Sequence, residues 1–73
     1  MYKLDDAQLK LLIRISKWFE SYIEYTPITR LAKSEIKYVK TLLSDVIKTK
    51  RYDEGDKVDL NRIRRWYVNK RID

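Results

Sequence analysis

Turn signals are nearly absent from this chain: Pro27 is its one proline and Gly55 its one glycine. A chain with so few residues that reverse its direction favours a few long helices over many short strands. Apolar spacing points the same way. Leu11, Leu12, Ile15, Trp18, Phe19, Tyr22 and Ile23 recur at three- and four-residue intervals, while Lys10, Arg14, Lys17 and Glu24 fall on the opposite side.

Local signals place the ends of three segments. Asp5-Asp6-Ala7-Gln8 supplies a capping carboxylate with Gln three residues on, a capping-box variant, so the first helix is expected over residues 5–25. It stops there because Pro27 disfavours helical geometry in the residue before it. Thr26-Pro27 then forms a helix start, with Thr as cap and Pro at the first helical position. The second helix is expected over 27–51, and the short link makes the two antiparallel neighbours.

Ser34-Glu35 is a competing start. Using it would give a helix-turn-helix, with Thr26–Ala32 as first helix, a turn at Lys33-Ser34-Glu35 and Ile36–Ile47 as recognition helix. The single helix is preferred, because its apolar and basic stripes stay in phase across Ser34. Tyr52–Val58 is the clearest break, with Asp53, Glu54, Gly55 and Asp56 poor in helix interiors. A short β-hairpin there would have arms at Lys50–Tyr52 and Lys57–Val58, too short to trust. A last helix over 59–71 would be capped by Asp59 and would bury Leu60, Ile63, Trp66 and Tyr67. The expected fold is all-α: one small three-helix domain spanning 1–73, an antiparallel helical hairpin crossed by a shorter C-terminal helix.

Missing residue types exclude chemistry. Without Cys or His, the chain lacks the main ligands of structural zinc and cannot assemble Ser-His or Cys-His nucleophiles. No catalytic residues, metal site or cofactor are therefore expected, and an enzyme is the least favoured class. The acidic run Asp53-Glu54-Gly55-Asp56 with Asp59 lacks EF-hand spacing and fits a solvated turn that caps a helix. No apolar run approaches the ~20 residues of a membrane span. The polar, acidic Met1–Asp6 segment is unlike a signal peptide, so a cytoplasmic location is expected.

The charge layout points to an anionic partner. Of the net charge of +6, residues 27–51 carry +5, whereas residues 1–26 are neutral. On a helix spanning 27–51, Arg30, Lys33, Lys37, Lys40, Lys48 and Arg51 fall within an arc of about 80°. Ile28, Leu31, Ala32, Ile36, Val39, Leu42, Leu43, Val46 and Ile47 cover the other side. A row of cations that holds no acid can track a phosphate backbone, with Lys positioning rather than reading sequence.

Arg62 and Arg65 would extend that surface. Trp66 and Tyr67 beside them fit a docking face better than bases stacked on rings. The preferred function is thus a non-enzymatic nucleic-acid-binding accessory or regulatory protein, for DNA or RNA. It depends on residues 27–51 winding as one rod whose lysines are not neutralised. The rival is a protein-interaction module, an inhibitor or adaptor meeting an acidic surface, in the manner of small phage, viral or plasmid regulators. Leu9 and Ile13 lie outside the main apolar face of the first helix. They are candidates for contact with the third helix, a protein partner or a second copy in a homodimer.

Overall fold

The computed structural model describes residues 1–25 and 31–72. In chain order its elements are β1 (Tyr2–Lys3), α1 (Asp6–Tyr25), α2 (Lys33–Thr49), β2 (Arg51–Tyr52) and α3 (Glu54–Asn69). The fold is a small all-α domain: α1 and α2 form the hairpin, and the shorter α3 completes the core. Its start at α1 follows the local signal. The Asp5 carboxylate accepts from the Gln8 amide at 2.7 Å, and the Gln8 side-chain oxygen accepts from the Asp5 amide at 3.1 Å. That reciprocal pair satisfies two backbone donors in a region where a helix leaves four open.

Three stripes then close on one another. Ile15 and Phe19 of α1, Val39 and Leu43 of α2, and Ile63 of α3 are almost wholly excluded from solvent. Leu12, Leu42, Val46, Leu60, Trp66 and Ile72 complete the core. Burying a side chain of this size contributes about 1.5–3 kcal/mol. Gln8 and Leu12 share a cleft with Leu60, Asn61 and Arg64, while Trp18 meets Tyr67 farther along, so α3 runs in the same sense as α1.

The second helix differs from the expected 27–51 at both ends. It begins at Lys33, after Leu31 in a bend and Ala32 in an extended conformation. Ala32 stands at the cap with no side-chain hydrogen bond, so neither Ser34 nor Glu35 caps the helix. Both lie in its first turn, where Glu35 is favourable to the helix dipole. Lys33-Ser34-Glu35 is therefore not the turn of a helix-turn-helix. The expected cap and start at Thr26-Pro27, together with Ile28 and Arg30, lie outside the described residues.

The C-terminal end stops at Thr49 because the chain turns at Lys50, which adopts the left-handed conformation at φ 60°. The Lys50 amide bonds the Val46 carbonyl at 2.7 Å, and the Lys50 carbonyl accepts from the Leu4 amide at 2.9 Å. Arg51 and Tyr52 then pair antiparallel with Lys3 and Tyr2, and the two tyrosine rings stack at 5.2 Å. No β-hairpin forms around Gly55: Arg51 and Tyr52 join a ribbon with the N-terminus, and Lys57 and Val58 lie in α3.

The third helix starts five residues before the expected Asp59. Asp53 accepts from the Asp56 amide at 2.7 Å, and the Asp56 carboxylate accepts from the Asp53 amide at 3.3 Å. Acidic residues that weaken a helix interior are favourable in its first turn, so the run expected as a loop is the start of α3. Gly55 lies within that turn and has no positive φ. The helix ends at Asn69 rather than Arg71. Lys70, left-handed at φ 53°, bonds Tyr67, and the Arg71 amide bonds the Trp66 carbonyl at 3.0 Å, a Schellman closure. Ile72 then folds back into the core.

Two substitutions test these ends. Asp53→Ala should lower the unfolding free energy by about 1 kcal/mol through loss of the cap. Lys50→Gly should raise it by roughly 1 kcal/mol, because glycine enters the left-handed region without a Cβ clash. Denaturant midpoints at an unchanged m-value measure both.

Candidate nucleic-acid interface

The basic row is shorter than the sequence suggests. Lys33, Lys37, Lys40 and Lys48 share one face of α2, and all four are exposed. Arg51, expected on the same helix, belongs to β2 instead, because the chain has already turned at Lys50. Arg30 lies outside the described residues. The four lysines cover about 22 Å of helix. Ser44 fills the gap between Lys40 and Lys48 without adding charge.

What surrounds these cations matters as much as their spacing. Among the described residues, no carboxylate lies within ion-pair distance of any of the four. Glu35 and Asp45 are exposed on α2 but sit off the lysine row. The row's self-repulsion is therefore not relieved inside the fold. An exposed cationic row of this kind attracts anions by its field and holds them by charge-assisted hydrogen bonds.

The arginines of α3 divide. Arg62 is held on both sides: its guanidinium lies 5.2 Å from the Trp66 ring centroid and 4.0 Å from Asp59. Its side chain still keeps about half of its surface open, at 51%. Arg65 is exposed and projects from the outer face of α3, with Arg64, Asn61 and Val68 around a shallow depression. Trp66 is buried, and its ring belongs to the core as the docking interpretation expected. Tyr67 is half-buried against Trp18, with the Lys70 ammonium 3.5 Å from its ring centroid. These aromatics form a packed cluster, not a row of free stacking platforms.

Ile13 is 37% exposed, and Leu9, one turn before it, is half-buried. Neither docks α3: Trp18, which does meet α3, projects from α1 about 180° away from Leu9. Leu9 and Ile13 also stay clear of the cleft between α1 and α3. The acids near the α2–α3 junction are occupied in folding, Asp53 and Asp56 as mutual caps and Asp59 as acceptor from Tyr38. Among the described residues, no group of three potential ligands is arranged to hold a metal ion.

The Tyr38–Asp59 bond is a link the sequence did not reveal. The Tyr38 hydroxyl donates to the Asp59 carboxylate at 2.5 Å and ties α2 to α3. This bond, more than anything else, raises the Tyr38 pKa above its usual 10.0, because the phenolate has no hydrogen left to donate and would face the Asp59 charge. The Tyr2 hydroxyl donates to Glu54, and its pKa is raised for the same reason.

A raised folded-state value means that the stability these bonds add is complete below the unfolded pKa, near pH 10. It is lost as pH climbs through the folded value. Absorbance titration at 295 nm should accordingly show a late alkaline component, and the double variant Tyr2→Phe/Tyr38→Phe should lack it. An identical titration end point in the variant would contradict the two bonds.

Comparison of the chain with protein-family models, with curated proteins and with solved structures finds no match.

Proposed function

We propose that this protein is a small non-enzymatic nucleic-acid-binding module that contacts phosphates through the exposed face of α2. One observation carries the proposal: Lys33, Lys37, Lys40 and Lys48 stand in a row with no neutralising carboxylate among the described residues. Arg65 and the open side of Arg62 add to the positive field from α3 and are not counted among the phosphate contacts. A row of about 22 Å meets on the order of six phosphates of one strand, at roughly 3.4 Å of rise each. Lysine suits this task, since a flexible point charge positions a backbone without choosing among bases.

The single rod over 27–51 on which the sequence-based expectation depended does not form, since the chain bends at Leu31 and is extended at Ala32; the proposal now rests on the four lysines of α2 alone. It assigns no contact to Arg51 and rests none on Arg30. Affinity is expected to be modest, strongly salt-dependent and indifferent to base sequence.

The partly exposed Ile13 edge supports a second reading, an adaptor or inhibitor meeting a protein with an acidic surface, or a second copy of the chain. In the second reading the same cations meet the acidic surface and Ile13 adds an apolar contact on α1, so mutation at Ile13 separates the two. Ile13→Asp disables the protein contact and spares the lysine row.

Titration of a labelled duplex at several salt concentrations tests the first reading. The slope of log affinity against log salt should be about −3.5, corresponding to four neutralised phosphates. Changing all four lysines to Gln should bring it close to zero, with each single change removing roughly 0.9. Absence of binding at low salt, or a slope untouched by the four changes, would refute the proposal.

A further inference from the structure

A cleft opens where the start of α1, the β ribbon and the first half of α3 meet. Its apolar lining is Leu4, Leu12, Leu60 and Tyr52, and its volume is about 180 Å³. That is below the roughly 300–1,000 Å³ of sites for drug-sized ligands, so the cleft suits a small ligand, part of which stays in solvent. Leu12 and Leu60 belong to the core, whereas Leu4 and Tyr52 are half-buried and pack against it. The cleft therefore has a fixed floor built from three elements.

One wall is polar and of a single sign. Lys57, Asn61 and Arg64 follow one another at spacings of four and three along α3, so they form one row on the edge of the cleft. Gln8 faces them from α1; its side-chain oxygen is engaged by the Asp5 amide, which leaves its NH₂ as a further donor. No carboxylate lines the cleft. The Lys57 ammonium also lies 4.9 Å from the Tyr2 ring centroid, which holds its stem beside the ribbon. Arg64 is exposed and pairs with no carboxylate among the described residues.

We infer that this cleft is a binding site for a small organic anion: an apolar body of several carbons with one terminal carboxylate or phosphate. The body replaces water over Leu4, Leu12 and Leu60. The head meets the Arg64 guanidinium, whose planar fork accepts two anionic oxygens at once, with Asn61 donating from one turn earlier. Lys57 supplies a second positive charge at the other end of the row. The lining discriminates against cations, which would find no acceptor of full charge, and against neutral molecules, which would leave the guanidinium unused. The site shares no residue with the lysine row of α2, so it stands or falls independently of nucleic-acid binding.

Two-dimensional amide NMR on the intact chain tests the assignment with three probes of equal tail length: nonanoate, octyl phosphate and octanol. Saturable shifts at Leu12, Tyr52 and Leu60 are expected with at least one of the two anions. That anion should bind at least about fivefold tighter than octanol, a margin typical of one charged contact at a partly open site. The tighter anion of the two identifies the head group. Arg64→Gln should remove that margin while leaving octanol binding and the circular dichroism spectrum unchanged. Arg64→Lys should restore only part of it, because the fork is lost. Octanol binding as tightly as both anions, an unaltered margin in Arg64→Gln, or no saturable shift with either anion would overturn the inference.

Discussion

The buried seam where three helices share Ile15, Phe19, Leu43 and Ile63 is the constraint on which the rest of the molecule depends. A chain of 73 residues has little apolar surface to hide and no disulfide to restrain its unfolded state. Each helix is therefore obliged to turn its whole apolar stripe inward. The polar faces left outside follow from that obligation. The lysine row of α2 is exposed because Val39, Leu42, Leu43 and Val46 claim the opposite side of the same helix. The Lys57–Asn61–Arg64 row borders a cleft because Leu60, between them in sequence, is drawn into the core.

Around this seam the short polar devices act as fasteners. Two capping boxes start α1 and α3, and two left-handed lysines end α2 and α3. Placing a non-glycine residue in that conformation costs on the order of 1 kcal/mol, recovered by the carbonyls it satisfies and by the chain direction it sets. Lys50 aims the chain at β1, and Lys70 aims Ile72 back into the core. The ribbon of two residue pairs then ties the N-terminus to the start of α3, where Tyr2 stacks on Tyr52 and bonds Glu54. Tyr38 bonding Asp59 makes a comparable tie between α2 and α3.

The apolar phase of each helix was legible because it is written in neighbours three and four residues apart, which meet only if that segment is helical. Leu12, Ile15 and Phe19 announce the core of α1, and Leu60, Ile63 and Trp66 that of α3, before any packing is known. The start of α1 was legible for the same reason, since Asp5 and Gln8 carry the whole signal. The start of α3 misled because Asp53, Glu54 and Asp56 have two meanings. In a helix interior they are unfavourable, and in a first turn they are caps. Asp59 also looked like a cap, yet its carboxylate serves Tyr38 on another helix. On α2, the in-phase stripes suggested one rod from 27 to 51, but phase reports only which face a residue would occupy if helical, not where the helix begins.

The residues alone determined the class of the fold, the inward faces of its helices, the missing Cys and His chemistry and the concentration of positive charge in the middle of the chain. These properties depend on composition and on contacts within about one helical turn. Tertiary structure decided that Arg51 leaves the lysine row, that Asp59 serves Tyr38 and that Lys57 and Arg64 border a cleft floored by α1. Each of those outcomes requires groups far apart in sequence to meet. The Lys50 carbonyl leads from α2 into a strand only because the Leu4 amide is there to donate to it. No local pattern around Lys50 contains that donor.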